Sequence, residues 1–348
     1  MIDLRSDTAT RPSGAMRAAI AAAEVGDEQR REDPSVTALQ ERVAALLGHE
    51  AGLFVPTATM ANQIALKLHS RPGDVLVAHE HAHVLVYEYG GPAVHAGLVT
   101  VGIPSENGRF GADELMGVAK PTGKDADQRV AVVVAEDTSN AAGGRCWPLE
   151  ELDALRDAAH GSAIALHLDG ARVLNAAVAQ GVEPAAIGGR ADTATLCLSK
   201  GLGCPLGAVL VGSYDAMRVA WREKHLFGGA MRQAGVVAAA GLYALDHNVA
   251  RLADDHARAR ALAEGWAASG VPVLVDRVET NFVQVDVGSL GLTSADAMAL
   301  LRDEGVGLSA TIYPGVLRAV THLDVTDDDV DAALTAVPRA LLERRVAA

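Results

Sequence analysis

The chain has 348 residues, of which 49% are hydrophobic and 21% charged, and a formal net charge of −14. This length fits two domains or one large domain with an appendage, and the apolar content is ample for a large buried core rather than a disordered chain. The acidic excess is scattered, which argues against nucleic acid or an anionic membrane surface as partner. Phosphate backbones need clustered Lys and Arg, whereas a small anionic substrate needs only one local group of donors.

Met1 to Asp7 contains no apolar segment of the secretory type, and the longest apolar run, Ala234 to Leu245, is too short for a bilayer, which takes about 20 residues. Cys146, Cys197 and Cys204 form neither a disulfide framework nor a CxxC pair and suit a reducing compartment. The expectation is a soluble, cytoplasmic protein.

In chain order, apolar runs alternate with helix-length amphipathic segments. The pattern predicts a helix over 36–47, a strand over 51–55, a helix over 59–70, and strands over 74–78, 98–101 and 130–135. A helix over 149–159, a strand over 164–168, a helix over 171–180, strands over 195–198 and 207–212, and a helix over 213–222 follow. The runs are rich in small and β-branched residues and unbroken by polar alternation, as in strands buried on both faces. Such an order predicts an α/β fold, a mostly parallel sheet with helices on both faces and ligands beyond the carboxyl ends of the strands. After Asn248 the character changes. A charged helix over 249–269, strands over 271–275 and 281–287, a helix over 294–303, strands over 306–309 and 316–321 and a final helix over 327–345 suggest a smaller α+β domain. The expected division is 1–248, including the amino-terminal arm, and 249–348.

Two strand ends carry the most informative residues. Ala163 to Leu168 leads into Asp169-Gly170-Ala171-Arg172, and Ala194 to Leu198 leads into Ser199-Lys200-Gly201. An acid and a lysine at the ends of nearby strands are what pyridoxal phosphate needs. The lysine amine condenses with the cofactor aldehyde, and the carboxylate keeps the pyridine nitrogen protonated so that the ring accepts electrons. The plainer alternative is a strand-end aspartate and a solvated loop lysine. Lys67, Lys120, Lys124 and Lys224 are the other candidate lysines, the first three in helix or surface-like settings and Lys224 in a charged, solvated stretch.

Pro56-Thr57-Ala58-Thr59-Met60-Ala61-Asn62 opens a helix after a strand, so its backbone N–H groups and Thr59 could bind an anion, with simple capping by Thr57 or Thr59 as the alternative. Ser199 could serve the same anion. His79, His81 and His83 admit metal ligation, a surface cluster or, for one imidazole, stacking on a flat cofactor ring; no metal site is expected. Gly228-Gly229-Ala230-Met231-Arg232-Gln233 delivers an arginine suited to phosphate. Arg318 is a charge inside an apolar strand and points to a carboxylate ligand or an ion pair within the small domain.

Several strings resemble the L-threonine aldolases, of the β-eliminating lyase group of fold-type-I pyridoxal phosphate enzymes, over nearly the full length. They are Asp3 through Pro12, Pro56 through Asn62, His167 through Arg172, Leu198 through Gly203, Met231-Arg232-Gln233 and Arg318 through Asp324. The resemblance implies an aspartate-aminotransferase-like, seven-stranded-type sheet. It implies Lys200 as the cofactor lysine, Asp169 as partner of the pyridine nitrogen, and His83 as the stacking histidine and a candidate acid/base. It places Arg172 near the cofactor oxygen and substrate, Ser6 and Arg318 on the substrate carboxylate, and Ala58 and Thr59 in the phosphate loop. Arg232 is implied as a phosphate ligand donated across a subunit interface, hence a homo-oligomer, usually a tetramer built from dimers.

The chain departs from that pattern in three places. Arg30-Arg31-Glu32-Asp33-Pro34 stands where Tyr-Gly-Asp-Asp-Pro is usual. Ala58 replaces a glycine, and Glu136-Asp137-Thr138-Ser139 replaces Glu-Asn-Thr-His. Arg30 and Ser139 are therefore expected to alter the pocket for the substrate side chain. The expected reaction is retro-aldol cleavage of an L-β-hydroxy-α-amino acid, such as L-threonine, L-allo-threonine or phenylserine, to glycine and an aldehyde. The alternatives are β-elimination, racemisation or transaldol exchange, or a non-catalytic cofactor-binding regulator.

Overall fold

The apolar runs of the first part of the chain assemble into one seven-stranded sheet in the computed structural model, which describes residues 1–119 and 128–343. The strand order is Ala51–Val55, Ala208–Gly212, Thr193–Cys197, Ala165–Gly170, Val130–Glu136, Val75–His79, Val99–Ile103. Ala208–Gly212 runs antiparallel to both neighbours, and the remaining pairings are parallel. Parallel neighbours require crossover connections, which place helices over both faces. Val130–Glu136 and Val75–His79 are accordingly buried at every position, which is why their sequences do not alternate. The α/β class and the mostly parallel sheet hold as expected.

Local chemistry sets the helix ends. Asp33 Oδ1 accepts from Val36 N at 3.0 Å, Pro34 occupies the first turn, and the helix Pro34–Leu47 stops at Gly48, whose φ of 76° suits a residue without a side chain. The helix Gly235–His247 packs on Pro34–Leu47 and Gly14–Ala21. Its sequence reads only as an apolar run, because a helix embedded on most sides has no polar face to reveal its period.

The antiparallel strands Ser309–Ala310, Val316–Val320 and Phe282–Asp286 form a second, smaller sheet near the carboxyl end. Helices Leu252–Ala268 and Asp327–Pro338 pack together beside it, and buried Trp266 ties them by donating from Nε1 to Ala333 O at 3.0 Å. The amino-terminal strand Ile2–Asp3 pairs in parallel with Val306–Gly307, and Leu4 sits in the apolar cluster of this second region. The arm thereby carries residues 5–10 back toward the main sheet, where Thr10 Oγ1 donates to Lys200 O at 2.8 Å.

The strand expected over 271–275 does not form. Val273 makes a single bridge to Val285, and Val275–Arg277 is a 3-10 turn. Pro272 has no N–H to give a ladder, which confines this segment to the margin of the sheet. The last helix runs over Asp327–Pro338 and continues as a wider turn over Arg339–Glu343, and positions 344 and 345 lie outside the described residues. Among the described residues no helix is long and apolar enough to cross a membrane.

Candidate active site

Three neighbouring strands deliver polar residues at one level of the sheet, with Glu136 opposite Asp169 and Asp169 opposite Thr195. Asp169 is buried; its Oδ1 accepts from Ala171 N at 3.2 Å and its Oδ2 from Asn62 Nδ2 at 2.9 Å. Asn62 arrives on the helix Ala58–His69, which starts where Thr57 Oγ1 accepts from Met60 N at 3.1 Å. Thr57 is therefore the capping residue. Gly170 follows Asp169 because a Cβ there would lie 2.5 Å from Thr195 O, a backbone atom of the next strand. Gly170→Ala is expected to lower stability by about 1–3 kcal/mol, as read by urea unfolding.

A cavity of about 300 Å³ opens beyond these strand ends, lined among others by Ser6, His83, Arg172, Lys200 and Arg318. These five expected residues, drawn from five separated segments, are brought together. His83 begins the short helix His83–Val86. Its backbone N–H donates to Glu136 Oε2 at 2.6 Å, and its Nδ1 lies 2.9 Å from Glu88 Oε1. Burial lowers the His83 pKa, but the hydrogen bond to Glu88 and the charges of Asp169 and Glu88 outweigh it, so the net direction is upward.

Arg172 and Asp7 form a buried two-pronged pair, Nε to Oδ2 at 2.6 Å and Nη2 to Oδ1 at 2.7 Å. Burial alone would raise the Asp7 pKa, yet the Arg172 guanidinium holds it down at about 2. Asp7 stands in the turn Asp7–Ala9, capped by Ser6 Oγ, which accepts from Thr8 N at 3.2 Å.

Arg318 is different. Its recorded partners are neutral, Ser309 Oγ at 3.2 Å from Nε and Asn140 Oδ1 at 2.5 Å from Nη1, and the ion pairs among the described residues do not include it. The ion pair considered as an alternative for this residue is thus absent among the described residues. Burial, followed by the nearby Arg172 charge, pushes its pKa down. A half-buried cation on a cavity wall with only neutral partners is a receptor for an anion.

Other expected site residues stand elsewhere. Ala58, Thr59 and Ser199 are not among the cavity-lining residues; Ala58 and Thr59 open their helix, and Ser199 Oγ lies 3.6 Å from Cys197 Sγ. Arg30 and Arg232 are exposed, with side-chain exposures of 74% and 63%, and both turn toward Asp27. Ser139 is buried outside the lining, because the loop at Gly108 fills the space over it: a Cβ on Gly108 would meet Ser139 Oγ at 2.2 Å. Hence Ser139, expected to alter the pocket, does not line it within this chain. The three histidines do not converge either. His79 Nε2 meets Ser105 O at 2.9 Å, and His81 packs edge-on between His79 and Tyr313.

Lys224, expected to be solvated, is fully buried. It pairs with Glu28 and lies 5.5 Å from the Trp221 ring, partners that the local run of charges could not reveal. Lys67 pairs with Glu223 at 2.7 Å, and Lys120 and Lys124 lie outside the described residues. Of the described lysines considered, Lys200 is the one that lines the cavity. Sequence reasoning missed Glu88, Glu136, Asn140, Tyr87 and the Asp7 clamp. Glu88, a lone acid amid Val84, Leu85, Val86 and Tyr87, is the one with a readable signal.

Residues 3–289 match the family model described as β-eliminating lyase. The chain belongs to the β-eliminating lyase family. This lyase is 40% identical over 345 residues to the low specificity L-threonine aldolase of Escherichia coli K12, covering 99% of this chain and 100% of that protein. It is 39% identical to a probable low-specificity L-threonine aldolase 2 of Arabidopsis thaliana, covering 96% and 95% of the two chains. Its fold matches the Leishmania major threonine aldolase structure with a TM-score of 0.84 at 16% identity, covering 98% of this chain and 100% of that one. The lyase is a pyridoxal phosphate enzyme, and the donor set fits that group: a lysine and an imidazole on the cavity wall, and a buried carboxylate close to the imidazole.

Proposed function

We propose that this lyase cleaves L-β-hydroxy-α-amino acids, L-threonine, L-allo-threonine and phenylserine among them, to glycine and an aldehyde. The observation that carries the reading is Arg318, a half-buried cation with neutral partners that shares a cavity with Lys200 and His83. When bound, pyridoxal phosphate supplies an aldehyde for exchange with the substrate amine and a ring that takes up the electron pair of the breaking Cα–Cβ bond.

The chain's own residues do the rest. Lys200 is the amine that anchors the cofactor, and Asp169 holds a proton on its ring nitrogen. Ala58, Thr59 and Ser199 receive its phosphate, aided by the amino terminus of the helix Ala58–His69. Ser6 and Arg318 hold the substrate carboxylate, and Arg172, fixed by Asp7, supplies a rigid positive wall. His83 accepts the β-hydroxyl proton, work that contributes about 10²–10⁴-fold.

The active form is a homo-oligomer, a tetramer built from dimers, in the cytoplasm. Arg232 and Arg30, both facing away from their own cavity, serve the site of a second copy, Arg232 at the phosphate and Arg30 near the substrate, with Ser139 supporting the pocket from below. Residues 1–248 form the large cofactor-binding domain and 249–348 the small one.

The test is product identification with the holoenzyme and a panel of β-hydroxy amino acids. Glycine and the matching aldehyde in equal amounts are expected. A 2-oxo acid and ammonia, or the opposite enantiomer of the substrate, would overturn the reading.

A further inference from the structure

Glu88 is fully buried at its side chain, yet nothing in the cleavage chemistry uses it directly. Three N–H groups converge on it: His83 Nδ1 and Asn62 Nδ2, each at 2.9 Å from Oε1, and Gln63 Nε2 at 2.5 Å from Oε2. An ionised carboxylate only accepts, so three donors match it. Asn62 ties this group to the cofactor end of the site, because the same Nδ2 reaches Asp169 Oδ2 at 2.9 Å.

The orientation of Asn62 is forced. Turning the amide over would set its carbonyl oxygen against two carboxylates. With Nδ2 held between Glu88 and Asp169, Oδ1 accepts from His167 Nε2 at 3.1 Å. His167 Nδ1 faces the other way, 2.9 Å from the Thr193 hydroxyl and 3.1 Å from the Thr193 carbonyl oxygen. Burial pushes the His167 pKa down to about 4, so this ring is neutral near neutral pH. The amide of Asn62 is thus held with its N–H groups toward Glu88 and Asp169, which leaves Glu88 an acceptor for His83.

We propose that Glu88, locked by Asn62 and Gln63, is a positioning residue that fixes the proton of His83 on Nδ1 and makes Nε2 a stronger proton acceptor. The inference rests on the reading of His83 as the base. A carboxylate bonded to one ring nitrogen fixes the tautomer and stabilises the imidazolium formed when the other takes a proton. The remaining charges around His83 are Asp169, which acts in the same direction, Lys200, which opposes it, and Glu136, which accepts the His83 backbone N–H. The Tyr87 ring lies against His83 with centroids 5.5 Å apart.

The experiment compares the wild-type holoenzyme with Glu88→Gln, Glu88→Asp and His83→Asn. It records kcat/KM against pH and, without substrate, the absorbance of the bound cofactor against pH. The amide introduced by Glu88→Gln would keep an oxygen for Nδ1–H but carry no charge. The acid limb of kcat/KM is expected to move to lower pH by about one unit, while the plateau falls about tenfold or more. The pH-dependent absorbance change is expected to move the same way. Glu88→Asp keeps the charge but shortens the arm, so its limb stays near the wild-type position while kcat falls.

A limb and an absorbance transition that stay at the wild-type pH in Glu88→Gln would overturn the proposal, whatever the plateau does. Should Glu88→Gln not fold, the limb in Glu88→Asp decides, and a downward shift as large as the one expected for loss of charge overturns it. If His83→Asn keeps the wild-type limb, the assignment of His83 as base fails, an outcome distinct from failure of Glu88 alone.

Discussion

Lys200→Ala is expected to abolish the visible absorbance of bound cofactor and to lower cleavage by at least about a thousandfold, the scale on which loss of a covalent anchor acts. The lysine lines the cavity, and Lys224 cannot take its place, because that amine is buried against Glu28. Far-ultraviolet circular dichroism should be unchanged, since the Lys200 side chain is half-exposed and its recorded long-range tie runs through the backbone carbonyl to Thr10. Retained absorbance with full activity would place the cofactor elsewhere.

The second large effect concerns Asp7. Asp7→Asn leaves the buried Arg172 guanidinium without its counter-charge and is expected to destabilise the fold by about 3–5 kcal/mol, read by urea unfolding at neutral pH. The same pair predicts the behaviour of the wild type in acid. The folded-state pKa of Asp7, about 2, lies below the ordinary 3.8. The pair's contribution is therefore fully present above pH 3.8 and is lost as the pH falls through about 2. Asp7→Asn should lack that part of the acid sensitivity. The substitution should also raise KM, because Arg172 and Ser6 flank the same cavity.

Much of this was legible in the sequence for a physical reason. Strands buried on both faces must be continuously apolar, so runs such as those in Val130–Glu136 and Ala165–Gly170 stand out, and the polar residues that end them mark the ligand edge. Asp169, Lys200 and Arg318 were visible because each is a charge set at or within such a run. What stayed hidden depends on contacts between distant segments. Ser139 reads as part of an altered pocket until Gly108 is found packed against it, and Lys224 reads as solvated until Glu28 closes over it. Arg232, expected at the phosphate, turns instead to Asp27 within its own chain. The network joining Thr193, His167, Asn62, Asp169, Glu88 and His83 draws on four elements and has no local sequence signature.

The central claim is that the amine of Lys200 carries the cofactor, and borohydride reduction of the holoenzyme followed by peptide mapping tests it most directly. Reduction locks the cofactor onto the amine that holds it. The account expects the added mass on the single peptide containing Ser199-Lys200-Gly201 and on no other. Label on Lys224 or any other lysine, or a protein that releases all its cofactor after reduction, would contradict it.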